Sequence, residues 1–579
     1  MKKFIALLAS LALLIGAAGA CSPQAQDGAA TTANAGATTA NAEATSASEG
    51  AATAPAAPAS EGTSMTVAVD SQFTTLDPGL NTEVVNNYAI NHMYAGLFEK
   101  DEQNNAVNDL CESYEISPDG MAFTFKLRGD AVWSDGVPVT AGDFVYSYLR
   151  ALSYGPDNAW AVNNLTTFVE GASEYNARAL ESGESFDCTT EDASGVGIKA
   201  LDDRTLEIRL KRPCPYFTGL LSANVWLPVR EDFAPQHESL WAFEPGYPTN
   251  GAYTLASCNE NEQCVLARNP SYARAGEVLM GEITLRVMTD GGAAALAFQS
   301  GELDVALTVA TETAVSYEGT DNLWVKPQCA NYFLAINSGE TGPEWAKNVA
   351  LRRALALAID KAALVEVLGG TLFYRPIDGY VPPGLNGVGG DFRAEGDADG
   401  FTLKYDPDQA KALLAAEGYS ESNPLRITYK YSNSGIHGDV ATMLQPMWKA
   451  VGVEAEFEAV ESGVFYDQLD AGDFEISRYG YVASDDAIQY LELWTTAIQV
   501  VAAVNDAAFD KMVADAGMLS DPAAYYTALH AAEDYLVEEN VYVIPLFDYT
   551  SPALVRTGLS GFRSLGGNVN FAKCVLAAG

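Results

Sequence analysis

From Met65 onward, apolar and polar positions repeat with the two periods that secondary structure imposes. Met65-Thr66-Val67-Ala68-Val69 alternates and predicts a strand. Ala122-Phe123-Thr124-Phe125-Lys126-Leu127 predicts another, entered by the turn Ser117-Pro118-Asp119-Gly120. After a second turn, Trp133-Ser134-Asp135-Gly136, Thr140-Ala141-Gly142-Asp143 forms a capping box and opens a helix to about Leu152. Thr205-Leu206-Glu207-Ile208-Arg209-Leu210 and Ile283-Thr284-Leu285-Arg286-Val287 alternate as strands. Residues 348–368 read as helical, end at Gly369-Gly370, and break near Asp360, which caps a second segment. Asp406-Pro407-Asp408-Gln409 starts a helix that stops at Gly418. Ile427-Thr428-Tyr429-Lys430-Tyr431 predicts a strand, followed by a helix from about Gly438 to Ala450. Helices and strands mix throughout, so the expected class is α/β.

Ser22 to Ser64 shows neither period. It is almost entirely Ala, Thr, Ser, Gly, Asn, Glu and Pro, without an aromatic residue, and Thr31-Thr32-Ala33-Asn34-Ala35 recurs as Thr38-Thr39-Ala40-Asn41-Ala42. Such a stretch cannot bury enough apolar surface to offset its ordering entropy. It reads as a flexible tether with a reach of roughly 35–40 Å. Ahead of it, Lys2 and Lys3 precede the apolar run Phe4 to Ile15 and small residues to Ala20, the pattern of a secretory signal, 1–20. Cys21 follows directly and resembles the lipidated cysteine of a bacterial lipobox. No later run is long and apolar enough to predict a membrane span.

The chain has 579 residues, enough for more than one domain. Its formal charge of −43, from 76 acidic and 33 basic residues, excludes nucleic acid as a partner and adsorption to anionic lipid. The four histidines form no His-Glu-x-x-His, and there is no Gly-x-Ser-x-Gly elbow or phosphate loop. No nucleophile, metal or cofactor site is expected, and the chain does not read as an enzyme. Of the eight cysteines, Cys258 and Cys264 flank a short polar segment. A hairpin there brings them opposite one another and permits a disulfide in an oxidising exterior. Free thiols are the alternative.

Several segments resemble the family 5 extracellular solute-binding proteins, the oligopeptide receptors of ABC importers. They include Leu76-Asp77-Pro78 with Tyr94-Ala95-Gly96-Leu97-Phe98, and the run from Ser117-Pro118-Asp119-Gly120 through Thr140-Ala141-Gly142-Asp143-Phe144. Asn250-Gly251-Ala252-Tyr253, Ser300-Gly301-Glu302-Leu303-Asp304, Arg352-Arg353-Ala354-Leu355, Val381-Pro382-Pro383-Gly384 and Arg478-Tyr479-Gly480-Tyr481 follow in family order. The resemblance implies a two-lobed, hinged, periplasmic-binding-protein-like fold (type II, cluster C-like) with an extra domain beside lobe I. Lobe I is expected at 65–107, 186–270 and 541–579, the extra domain at 108–185, and lobe II at 271–540.

By the same resemblance the ligand is a short peptide, delivered to a separate permease and ATPase by a monomeric receptor anchored outside the cell through Cys21. The family's ammonium-binding aspartate falls on Ser484 without a gap. A one-residue shift places it on Asp485, with Asp486 next. Arg478 matches an arginine that meets the carboxylate of a short peptide, and His437 a histidine that meets the end of a longer one. Tyr481 stands where the family has tryptophan, Gly480 lies beside it, and Trp160 lines the cleft from the extra domain. The alternatives are a peptide-signal receptor or adhesin, a peptidase, or the same fold around a nickel complex, haem or sugar.

Overall fold

The computed structural model describes residues 63–101, 104–155, 159–234, 241–483, 485–498, 503–565 and 568–577. The signal segment, Cys21 and Ser484 lie outside the described residues, as does the tether up to residue 62. An eleven-stranded sheet runs through the molecule. At one end the strand Ser64–Val69 lies parallel between Glu282–Val287 and Val305–Ala306. The hairpin Tyr253–Asn259 and Gln263–Arg268 extends that side. At the other end Leu425–Ser432 is parallel to Val453–Val460 and to Ile476–Val482.

Two long antiparallel strands, Leu323–Ile336 and Val543–Val555, join the ends. Leu554 and Val555 pair with Val305–Ala306 on one side, and residues 330–336 pair with Ile476–Val482 on the other. Their shared register breaks between Pro327 and Asn331. Cys329 sits inside that break with φ of 47°, a left-handed conformation unusual for a side-chain-bearing residue. The result is a two-lobed α/β fold whose lobes share a pair of crossing strands, with a second register shift between Tyr332 and Phe333.

Strand pairing shows which segments share a sheet. Glu282–Val287 and Val305–Ala306 belong with the first strand, because Ile283 and Leu285 are fully buried in register with Met65 and Val67. Residues 282–287 and 305–306 therefore share one end of the sheet with Ser64–Val69. A separate four-stranded sheet joins Cys111–Ile116, Ala122–Leu127, Thr205–Arg209 and Ile198–Asp202. Phe123 faces Ile208 and Phe125 faces Leu206 across it. Each such buried apolar side chain contributes about 1.5–3 kcal/mol to holding this sheet together.

Local signals placed the helices. Thr140 and Asp143 form the reciprocal cap of Ala141–Leu152. Asp360 caps Lys361–Val367 separately from Val349–Leu357, and Asp406 caps Pro407–Ala416. The helix expected from Gly438 starts at His437, which brings the imidazole into its first turn. Arg150, inside Ala141–Leu152, forms a fully buried two-pronged ion pair with Asp77. The segment Leu76-Asp77-Pro78 is thus anchored to the helix Ala141–Leu152. Cys258 and Cys264 stand directly opposite on their hairpin, Cα to Cα 4.0 Å, with the sulfurs bonded.

Candidate functional site

The strand Ile476–Val482 lies beside one crossing strand, next to the register break, and is the scaffold of the site. Arg478, in its middle, is 2% exposed. Its guanidinium donates to Ser432 Oγ and, at 3.3 Å, to Tyr466 Oη. It lies 4.7 Å over the ring of Phe465 and 5.6 Å over that of Tyr466. Its Nε has no hydrogen-bond partner among the described residues. Neither side-chain partner is a carboxylate, so a permanent positive charge is held by hydroxyls and aromatic faces alone.

His437 is buried nearby, with Nδ1 3.2 Å from Tyr332 Oη. Burial, and then the charge of Arg478, pull the imidazole down to about 3. At neutral pH it is an uncharged group whose hydrogen-bonding roles follow its tautomer. Arg478 and His437, far apart in sequence, are thus brought together with Tyr332, Tyr466 and Ser432 around one cationic centre.

At the far end of the strand the two neighbouring aspartates separate. Asp486 is fully buried and accepts from Tyr525 Oη at 2.6 Å, Tyr526 Oη at 2.9 Å and the Ile488 amide at 3.0 Å. Burial pushes its carboxyl up to about 6. Both oxygens are committed, and they tie this segment to the helix Pro522–Asp534. Asp485 is half-buried, and among the described residues its carboxylate accepts only from Gln489 Nε2, at 3.2 Å. Its pKa is raised by burial and opposed by Lys100. Of the two, Asp485 retains acceptor capacity for a ligand.

Gly480 packs against the crossing strand so closely that a Cβ would sit 3.0 Å from the Asn331 carbonyl oxygen. Tyr481 is half-buried and meets Tyr490 edge to face at 5.2 Å. Trp160, on the helix Ala159–Phe168, packs half-buried against the large apolar core. Among the described residues no group of His, Cys, Asp and Glu is arranged to hold a metal ion.

Sequence reasoning missed Tyr332, Ser432, Tyr466 and Lys100. The last, on the short strand Phe98–Lys100, donates to the Asn104 carbonyl at 3.3 Å. Burial lowers its pKa, and Asp485 and Asp486 oppose the shift. Nothing local marks it, since its relation to Asp485 exists only in the folded chain.

The sequence profile of the bacterial extracellular solute-binding proteins, family 5 Middle, matches residues 105–499. The chain belongs to this family. The matched span contains His437, Arg478, Asp485 and Asp486. Among relatives of this family 5 protein, the periplasmic oligopeptide-binding protein OppA of Escherichia coli strain K12 is 28% identical over 498 residues, covering 85% of this chain and 88% of the relative. The oligopeptide-binding protein OppA of Bacillus subtilis strain 168 is 26% identical over 518 residues, covering 86% and 90%. The unliganded open form of the periplasmic murein tripeptide-binding protein MppA superposes with a TM-score of 0.78 at 24% identity, covering 89% of this chain and 98% of that one. An oligopeptide-binding protein of Borrelia burgdorferi superposes at 0.62 with 25% identity, covering 89% and 100%. The family 5 fold therefore spans both lobes of the present chain.

Proposed function

We propose that this chain captures short peptides between its lobes, outside the cytoplasm, and delivers them unchanged to the permease and ATPase of an ABC importer. The observation that carries the reading is Arg478, a buried guanidinium without a carboxylate, on the same strand that leads to the incompletely paired Asp485. All peptides share an α-carboxylate and an α-ammonium, and a receptor of broad taste must hold those ends. Arg478 supplies the partner of the first and Asp485 of the second, while neutral His437 extends the anionic end for a longer chain. The oligopeptide-binding names of the relatives support the same reading. Cys21, carrying lipid, would hold the receptor at the membrane while the tether lets it search.

One observation favours a second reading. Lys100 and Asp485 act on each other electrostatically without an ion pair between them among the described residues, and a lysine that offsets Asp485 suits a ligand with an anionic end and no α-ammonium. A single titration series separates the two. Calorimetry is run with one peptide in free, N-acetylated and C-amidated forms. The peptide reading expects weaker binding of both blocked forms, and the second expects a loss only on amidation. Equal affinity for all three would sink both. Mass spectrometry of whatever co-purifies would then name the natural ligand.

A further inference from the structure

We infer that Lys326 is a second cationic contact for the ligand, taking a carboxylate other than the one met by Arg478, so that the receptor prefers peptides bearing an acidic side chain. This rests on the reading that a peptide binds between the lobes.

Lys326 is 6% exposed, far more buried than lysine usually is. It makes no ion pair or hydrogen bond among the described residues. Other buried cations do. Arg150 meets Asp77, Arg393 meets Glu533, and Lys430 meets Asp473. Arg352 donates to the carbonyls of Asn540 and Ala346. In a chain with 76 acidic residues against 33 basic ones, carboxylates are not scarce. Only Lys326 and Arg478, among these buried cations, have neither a carboxylate nor a carbonyl.

Position gives the second argument. Lys326 pairs with Ser551, three residues short of Leu554, which pairs with Ala306. It therefore stands just beyond the C-terminal ends of Ser64–Val69 and Val305–Ala306, and one residue before the register break in the crossing strands. In open α/β sheets the crevice outside those strand ends is where ligands bind. The nearest charge acting on it is Asp70, the residue after the first strand. Asp70 accepts instead from Ser71 Oγ at 3.1 Å and Thr308 Oγ1 at 2.9 Å. Burial pulls the ammonium down to about 8, as expected for a cation whose partner is yet to arrive.

The test is a peptide set, identical except for Glu or Gln at each position in turn, titrated against the full chain and Lys326→Met. At one position the unsubstituted protein should favour Glu by about tenfold or more, the scale of a buried charge pair. Lys326→Met should reduce that ratio to near one and leave the Gln peptide's affinity unchanged. A second measurement uses the unsubstituted protein alone. An amine-reactive label read by mass spectrometry should be blocked at Lys326 by the Glu peptide and not by its Gln counterpart. Peptide binding without Glu preference, preference that survives in Lys326→Met, or equal protection by both peptides would overturn this inference alone. Failure of the unsubstituted protein to bind any peptide would overturn the proposed function, and this inference with it.

Discussion

The guanidinium of Arg478 lies 4.7 Å above the ring of Phe465, and the ring face substitutes for a counter-ion. A buried cation held this way is electrostatically unfinished, and its removal should affect binding and folding differently. Arg478→Met is expected to weaken binding of a peptide with a free carboxylate by about 2–5 kcal/mol. Stability should hold or rise, because an unpaired buried charge is replaced by an apolar chain. Calorimetry and urea unfolding on the same variant check both. Unchanged affinity with lowered stability would make Arg478 a purely structural residue.

Asp485 and Asp486 are neighbours with opposite expectations. Asp486→Asn leaves Tyr525 and Tyr526 sharing an amide in place of a carboxylate, and should cost about 1–3 kcal/mol of stability. Asp485→Asn touches one hydrogen bond at a half-buried position, so its stability should stay within about 0.5 kcal/mol of the parent. Its effect should fall on ligand choice, abolishing the preference for free-amine over N-acetylated peptides. A variant at Asp485 that melts like one at Asp486 would remove the distinction.

Asp77 and Arg150 form a pair with side chains 0% and 1% exposed. Asp77→Asn removes the carboxylate from a buried ion pair and should cost about 3–5 kcal/mol. The same change at Asp130, whose ion pair with Arg128 is on the surface, should cost about 1 kcal/mol or less. Thermal melts of the two variants give the comparison directly.

What was legible in the sequence was what depends on near neighbours. Thr140 and Asp143 are three residues apart, and their cap needs nothing else. The same holds for Asp360 and Asp406. Parallel pairing is different, because Ile283 finds its place in the sheet only by lying beside Met65, more than two hundred residues earlier. The site divides in the same way. Arg478, His437 and Asp485 could be named from a motif, but the environment that gives Arg478 its role comes from Ser432, Phe465 and Tyr466. The difference between Asp485 and Asp486 is made by two tyrosines some forty residues further on.

His437 gives the last prediction its sign. Its imidazole titrates at about 3 in the folded protein and near 6.5 when unfolded. Above pH 6.5 both states are neutral and the group contributes nothing. Between 6.5 and 3 the unfolded chain holds a proton that the folded chain lacks, so stability is lost as pH falls, by about 1.4 kcal/mol per unit. The buried carboxyls of Asp109, Asp486 and Asp548, each pushed up to about 6, act in the opposite sense over this range. Comparing the parent with His437→Gln cancels them. Urea unfolding at pH 7 and pH 5 should show the parent losing about 2 kcal/mol relative to the variant. A peptide long enough to bring its carboxylate to His437 should reverse this, because an anion beside the ring favours the imidazolium. Binding of that peptide at pH 5.5 should take up a proton, read as a dependence of the calorimetric heat on buffer ionisation. A shorter peptide, ending at Arg478, should take up none. Equal acid sensitivity of the two proteins would mean that His437 is protonated in the folded state and that the ring is not the neutral partner required here.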